Sequence, residues 1–245
     1  MGFKDHFSSK AAIYAKARPG YPAAFFAELA GLVPRHSLAW DCGSGNGQAA
    51  VSLAAHFDRI VATEPSAAQL AEAVAHPKIT YLQSAELATG VADGSVDLVT
   101  AACAAHWFDL AVFYPEVRRV LRPGGLLAVW NYGLCTVNPA VDQLLGKFYR
   151  ETVGPYWPPE RKHAETGYRL LEFPFPEVPF PSFHLAAEWT VEDLVAYLHT
   201  WSAVTRYTSA TGVDPVAGFL PELQHAWGGG RRQVVWALGG RLGRL

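Results

Sequence analysis

The sequence predicts an α/β fold with a doubly wound parallel sheet, and three observations carry that expectation. Short apolar runs alternate with helix-compatible stretches over the first half of the chain, the pattern of strands joined by crossover helices. A glycine-rich turn, Gly43-Ser44-Gly45-Asn46-Gly47, lies between the first apolar run and the first helical stretch. Composition then shifts near residue 133, beyond which Trp, Tyr, Phe and Pro accumulate.

Each element has a local reason. Leu38–Cys42, Arg59–Thr63, Lys78–Leu82, Val96–Ala101 and Gly125–Trp130 are short apolar runs with turn or polar flanks, suited to strands covered on both faces. Helices are expected over 48–56, 66–75 and 109–121. Ser66 is a good N-cap for the second, and Pro77 lies just beyond it. Pro123-Gly124-Gly125 stops the third. Further on, 138–153 and 191–205 read as helices, with Thr190 and Asp193 placed for a capping box variant. Phe183–Trp189 and Arg232–Leu238 read as two further strands. The Pro-rich 155–181 stretch is too apolar for a flexible linker and is expected to pack as an insertion over the site. The organisation expected is one domain: an N-terminal helical cap (1–35), a core (36–132), an insertion (133–182) and C-terminal helices and strands that complete the sheet (183–245).

Composition narrows the function. The chain has 245 residues, half of them hydrophobic and 17% charged, enough for a substantial core and unlike a disordered chain. Lys and Arg total 20 against 22 Asp and Glu, a net charge of -2. That balance offers no broad footprint for nucleic acid or an anionic membrane. No run reaches the length of a membrane span, and the first residues lack the pattern of a signal peptide. Cys42, Cys103 and Cys135 are widely spaced in apolar surroundings, as buried reduced thiols are, and no metal is expected. A cytoplasmic protein acting on a small molecule is the expectation.

The glycine turn carries the chemistry. Its spacing is G-x-G-x-G rather than the G-x-G-x-x-G of dinucleotide binders, and Asp41 precedes it. A carboxylate there disfavours a pyrophosphate and suits a cation or ammonium group, which argues against a nicotinamide-dependent oxidoreductase. Glu64 ends the second strand and, in a doubly wound sheet, sits beside the turn at the carboxyl edge where ligands bind. A carboxylate at that place accepts both hydroxyls of a ribose. The ligand implied has a ribose, a cationic amino-acid part and no phosphate, a description that S-adenosylmethionine fits.

With these residues in view, the chain resembles the class I S-adenosylmethionine-dependent methyltransferases. Asp41-Cys42-Gly43-Ser44-Gly45-Asn46-Gly47, Glu64, Ser84-Ala85-Glu86 and Arg119-Val120-Leu121-Arg122-Pro123-Gly124-Gly125 carry the resemblance over residues 38–131. Within the class it looks like the trans-aconitate-methyltransferase-like branch. That likeness rests on Phe7-Ser8, on Tyr14-Ala15-Lys16-Ala17-Arg18-Pro19-Gly20-Tyr21-Pro22, on Ala105-His106-Trp107-Phe108-Asp109 and on Tyr156-Trp157-Pro158-Pro159-Glu160-Arg161. The resemblance implies a Rossmann-like, seven-stranded sheet whose last strand is antiparallel, with the aromatic and Pro-rich insertion between strands 5 and 6. It implies that Asp41 helps hold the cofactor's amino group while Gly43 and Gly45 let the methionine part lie against the backbone. Glu64 would bind the ribose hydroxyls, Pro65 would border the adenine, and Ala85 and Glu86 would lie near its amino group. Ala101 and Ala102 would line the face opposite the sulfonium.

Methyl transfer is an in-line displacement at an activated carbon, so alignment is the main demand on the protein. A carboxylate acceptor needs no base, whereas a hydroxyl or ammonium does. His106, at the carboxyl end of a core strand, is the candidate base, with a pocket-wall histidine as its other reading. Tyr14 and Arg18 precede Pro19-Gly20 on an expected helix; Arg18 there pairs with the cofactor carboxylate or an acidic substrate, or is a surface residue. Trp107, Trp130, Tyr132, Trp157 and Trp201 are core or lid residues, one or two of them facing the sulfonium. Arg161, Arg169 and Arg206 are placed to recognise substrate carboxylates or to lie on the surface. The competing class is a non-catalytic protein that binds S-adenosylmethionine.

Overall fold

The computed structural model describes residues 18–245. After helix α1 (Ala23–Gly31), strands β1 (Leu38–Cys42), β2 (Arg59–Glu64) and β3 (Ile79–Gln83) alternate with helices α2 (Gln48–Leu53) and α3 (Ala67–Ala71). Strand β4 (Val96–Ala102), α4 (Leu110–Val120) and β5 (Leu121–Tyr132) complete the parallel part, and pairing runs β3-β2-β1-β4-β5. Adjacent residues of these strands bury into opposite layers. Ala39, Leu98, Leu126 and Ala128 join the core under α1 and α2, while Trp40, Val99, Leu127 and Val129 join the core under α4. Successive side chains of a strand face opposite sides, so the continuous apolar runs reflect a sheet covered on both faces.

The C-terminal half adds α5 (Pro139–Lys147), α6 (Arg161–Glu165), β6 (Glu177–Val178), β7 (His184–Trp189), α7 (Val191–Leu198), α8 (Ser202–Thr211), α9 (Pro215–Trp227) and β8 (Arg232–Arg244). Strand β8 is antiparallel to β5, from Tyr132↔Leu238 to Leu126↔Arg244, as expected for the last strand. Its first half pairs instead with β7, from Trp189↔Arg232 to His184↔Ala237. No helix among the described residues is long and apolar enough to cross a membrane.

Several expectations are corrected. The helix expected over 66–75 ends at Ala71. Ser66 caps it as read, accepting from the Gln69 N–H at 3.3 Å, but Pro77 disfavours helical backbone just before it. The expected 191–205 helix breaks at His199–Trp201: Thr200 turns its hydroxyl onto the Tyr197 carbonyl at 2.6 Å, and Trp201 is extended. Such local side-chain bonds compete with the helix ladder. The 138–153 helix passes after Lys147 into a π-helical turn, Phe148–Thr152. The sheet holds eight strands rather than seven, because the two-residue β6 pairs with the end of β8. Helix α9 was not expected, although Asp214 accepts from the Val216 N–H at 3.0 Å and Pro215 opens it, an ordinary start signal. The Thr190–Asp193 capping box forms in full.

Strand β8 runs past Leu238 through Gly239 and Gly240, where a strand reading had stopped. A Cβ on Gly240 would lie 2.4 Å from the Val129 carbonyl oxygen and 2.8 Å from the Trp130 Cβ. The glycine is therefore what lets β8 close on β5. Gly240→Ala is expected to cost about 1–3 kcal/mol through overpacking, read as a fall of several degrees in the thermal melting temperature; an unchanged melt would mean that β8 does not sit against β5 as described.

Candidate active site at the carboxyl edge of the sheet

The first residues after β1 turn sharply. Gly43, Gly45 and Gly47 all have positive φ, and a Cβ on Gly43 would lie 2.6 Å from the Ala104 Cβ. The turn thus touches the segment that follows β4. Glu64, 7% exposed at the tip of β2, ties two turns together: Oε2 accepts from the Gly45 N–H at 3.0 Å and Oε1 from the Ser66 N–H at 2.9 Å.

After β4 the chain turns at Cys103, whose φ is +55°, and makes one 3-10 turn, Ala105–Trp107. Between this turn, the glycine turn and the β2 tip lies a cavity of about 490 Å³, within the range of roughly 300–1,000 Å³ common for small-molecule sites. Of the residues singled out from the sequence, its walls bring together Arg18, Gly43, Gly45, Glu64, Pro65, Ala85, Glu86, Ala102, His106, Trp107 and Tyr132. Glu86 is anchored by the Asp109 N–H, which donates to it at 3.0 Å.

A smaller cavity of about 60 Å³ adjoins it and shares Arg18, Cys103, His106, Trp107 and Tyr132. Its far wall comes from Trp157 and Arg161 of the insertion and from Tyr197, Thr200, Trp201 and Ser202, which the break between α7 and α8 delivers. Among the described residues Arg161 is held by aromatic groups: Nε donates to the Tyr149 hydroxyl at 2.8 Å, that hydroxyl donates in turn to Glu165, and the guanidinium lies 4.8 Å from the Trp157 ring centre. Arg18 donates to the Tyr132 hydroxyl at 3.0 Å and sits 5.1 Å over the Tyr197 ring.

Three residues expected at the ligand do not line either cavity. Asp41 is fully buried beneath the glycine turn, where the Thr100 hydroxyl donates to Oδ1 at 2.6 Å; burial pushes its carboxyl up to about 7 against that bond and against a backbone bond from Ala50. Ala50 is in the first turn of α2, and the other carboxyl oxygen, Oδ2, makes no hydrogen bond among the described residues. Ala101 points away because it alternates with Ala102, which does line the cavity. The Trp130 indole packs edge-on among Tyr21, Phe25 and Phe26 in the core. Tyr14 lies outside the described residues.

His106 is the candidate base, and its surroundings oppose that role. Burial, reinforced by Arg161 and His163 and opposed by Glu160, pushes its imidazole down to about 3. A base with so acidic a conjugate acid removes protons poorly near neutral pH. Nδ1 is engaged by the Tyr168 hydroxyl at 3.1 Å, and the ring packs at 4.6 Å from Trp107. Sequence reading missed Tyr168, Tyr21, Tyr197 and Glu160. Tyr168 and Glu160 lie in the insertion, where spacing carries no strand or helix signal.

The comparisons with known proteins agree on one class. A family model described as a methyltransferase domain matches residues 40–129. A Dictyostelium discoideum protein named as a methyltransferase is 35% identical over 230 residues, which cover 91% of this chain and 84% of that protein. An uncharacterised methyltransferase of Mycobacterium tuberculosis is 37% identical over 127 residues, 51% of each chain, so this chain aligns with about half of that relative. A solved structure from Anaeromyxobacter dehalogenans, described as a type II methyltransferase, superposes with a TM-score of 0.87 at 44% identity. It covers 93% of this chain and 97% of its own.

The buried carboxyl of Asp41 sets a pH dependence. Its folded pKa lies above the ordinary value of 3.8, so between those limits the native state holds more protons than the unfolded one and stability falls as pH rises from about 4 to about 7. Asp41→Asn keeps an acceptor for Thr100 and removes the ionisation. Denaturant unfolding at pH 5 and pH 8 is expected to show the variant gaining on the wild type by an amount on the order of a few kcal/mol at the higher pH. An equal gap at both pH values would contradict the buried, proton-holding carboxyl.

Proposed function

The chain belongs to the class I S-adenosylmethionine-dependent methyltransferases, and from that premise we propose that it methylates a carboxylate of a small-molecule acceptor, with the cofactor in the larger cavity and the acceptor in the smaller. The residues of the larger cavity fit the cofactor. A Cβ on Gly45 would meet nothing closer than the Gln69 Oε1 at 3.8 Å, so the turn leaves backbone open to a ligand. The chemistry of the donor set also agrees: Glu64 is an acceptor suited to ribose hydroxyls, and Pro65, Ala85 and Glu86 are placed to border the base. When bound, the cofactor supplies a methyl group on a positively charged sulfur. The closer likeness to the trans-aconitate-methyltransferase-like branch belongs to the same proposal, as does a cytoplasmic setting without nucleic acid or membrane partners.

The observation that carries the carboxylate is Arg161 on the smaller cavity. Arg161 is half-buried, and a guanidinium drawn out of water is costly unless charge compensates it; its direct contacts among the described residues are the Tyr149 phenol and the Tyr149 and Trp157 rings, with the Glu165 carboxylate one hydrogen bond further on. A carboxylate acceptor completes the pair and matches the planar fork of the guanidinium. His106 points the same way. A carboxylate is already ionised at neutral pH and needs no base, and a histidine held neutral is a poor one. Trp107, Tyr132, Trp157 and Trp201 wall the smaller cavity and leave room for a small acceptor end.

Two experiments test this reading. Calorimetric titration is expected to show S-adenosylhomocysteine binding and NAD failing to bind, with Glu64→Ala weakening the former by about 1–3 kcal/mol; unchanged affinity would move the ribose away from Glu64. A transfer assay with labelled cofactor against pooled small acids, phenols and amines is expected to give turnover in the acid pool. Arg161→Gln is expected to lower that turnover at least about tenfold, a loss of a charged hydrogen-bonded pair, while binding S-adenosylhomocysteine as before. Turnover confined to amines or phenols would reject the carboxylate.

A further inference from the structure

The structure holds Tyr168 in an unusual way. Among the described residues, Cys103 and Tyr168 are the two non-glycine positions with positive φ, a costly conformation that persists where surroundings enforce it. Tyr168 is fully buried. Its N–H donates to the His163 carbonyl at 2.8 Å, its own carbonyl accepts from Leu171 at 3.0 Å, and Gly167 beside it abuts the backbone of Gly239 and Gly240 in β8. This bracing sends the phenol from the insertion across to the turn after β4, where its oxygen meets Nδ1 of His106.

The direction of that hydrogen bond follows from the burial of the phenol. Among the described residues, His106 Nδ1 is the one group within hydrogen-bond distance of the fully buried Tyr168 hydroxyl. Were Nδ1 the donor, the phenolic proton would be sealed away without an acceptor, which is costly, so the hydroxyl donates. The imidazole is neutral, because burial holds it so, and a neutral ring that accepts at Nδ1 carries its proton on Nε2. Among the described residues the Nε2 atom makes no hydrogen bond and is not one of the sealed polar atoms, while the ring lines both cavities.

We propose that Tyr168 is a positioning residue which donates to Nδ1 of His106 and so fixes the Nε2–H tautomer, leaving a hydrogen-bond donor that faces an oxygen of the methyl acceptor where the two cavities meet. The assignment of the acceptor rests on the function proposed above; the tautomer does not. In the opposite tautomer a lone pair would face the acceptor and repel an anion. With Tyr168 in place, His106 orients a carboxylate beside Arg161 without taking a proton from it.

Long-range proton–nitrogen NMR correlations on the nitrogen-labelled full chain read the tautomer, with His106 assigned by the signals missing in His106→Gln. The wild type at pH 7 is expected to show a protonated Nε2 and a hydrogen-bonded, unprotonated Nδ1. Tyr168→Phe is expected to shift the Nδ1 resonance towards that of a free ring or to mix the tautomers, while still binding S-adenosylhomocysteine. A protonated Nδ1 in the wild type, or an unmoved Nδ1 in Tyr168→Phe, overturns the proposal. If Tyr168→Phe does not fold, the wild-type spectrum alone decides. Failure of the wild type to bind S-adenosylhomocysteine would instead overturn the proposed function, including the acceptor's place beside Nε2, and leave the tautomer to the spectrum.

Discussion

The carboxylate of Glu64 accepts one backbone N–H from the glycine turn and one from the start of the next crossover, and the geometry of the sheet edge hangs from those two bonds. Each turn has backbone donors that strand pairing cannot use, because the strands have ended, and a buried donor without a partner is expensive. One side chain meets that need on both turns. It thereby sets the separation of the β1 and β2 tips and the mouth of the larger cavity. Glu64 also lines the larger cavity, so the group that holds the turns together is at the same time a carboxylate on the cavity wall. The further ties between β1 and β2 run in the same sense: Gly43 and Ser44 both donate to the Thr63 carbonyl, at 2.8 and 3.0 Å.

Much of this was legible in the sequence because it depends on local order. Apolar runs, a capping serine, a G-x-G-x-G turn and an acidic residue at the next strand's end are read from neighbours along the chain, and they locate the sheet edge and the larger cavity. Asp41, Ala101 and Trp130 show where that reading runs out. A residue's position at a strand tip is local, but the direction of its side chain depends on the two-residue alternation and on what occupies each face. Asp41 finds the Thr100 hydroxyl on the adjacent strand, Trp130 finds an aromatic cluster from α1, and neither turns to the cavity.

The smaller cavity was less legible for a related reason: its walls come from distant parts of the chain. Arg161 and Trp157 come from the insertion, Tyr197 and Trp201 from a helix break, and Arg18 from the described N-terminal end. The break depends on one Thr200 hydroxyl choosing a carbonyl, against a helical pattern that otherwise continues. The long strand β8 hid behind its glycines in the same way. Gly240 lowers strand propensity locally, yet a side chain there would collide with Val129 and Trp130, so tertiary fit overrides local preference.

The electrostatics of the two cavities then form one argument. The larger is bordered by carboxylates at Glu64, Glu86, Asp109 and Glu160, the smaller by the Arg161 guanidinium, and Arg18 stands on the wall that the two share. Under the proposed function, a cationic sulfonium and an anionic acceptor are the pair of partners that such a distribution sorts without any proton changing hands. A protonated histidine between them would favour the anion and oppose the cation, and an ionised base there would do the reverse. Burial keeps His106 neutral, so at the junction it contributes a hydrogen bond and no net charge. The insertion that carries Arg161 also carries Tyr168, and the two therefore enter the site together: the same segment that brings a guanidinium to the smaller cavity braces the His106 ring beside it. Packing of that segment against β8 through Gly167 and Gly239 makes its order a condition for the smaller cavity to exist at all.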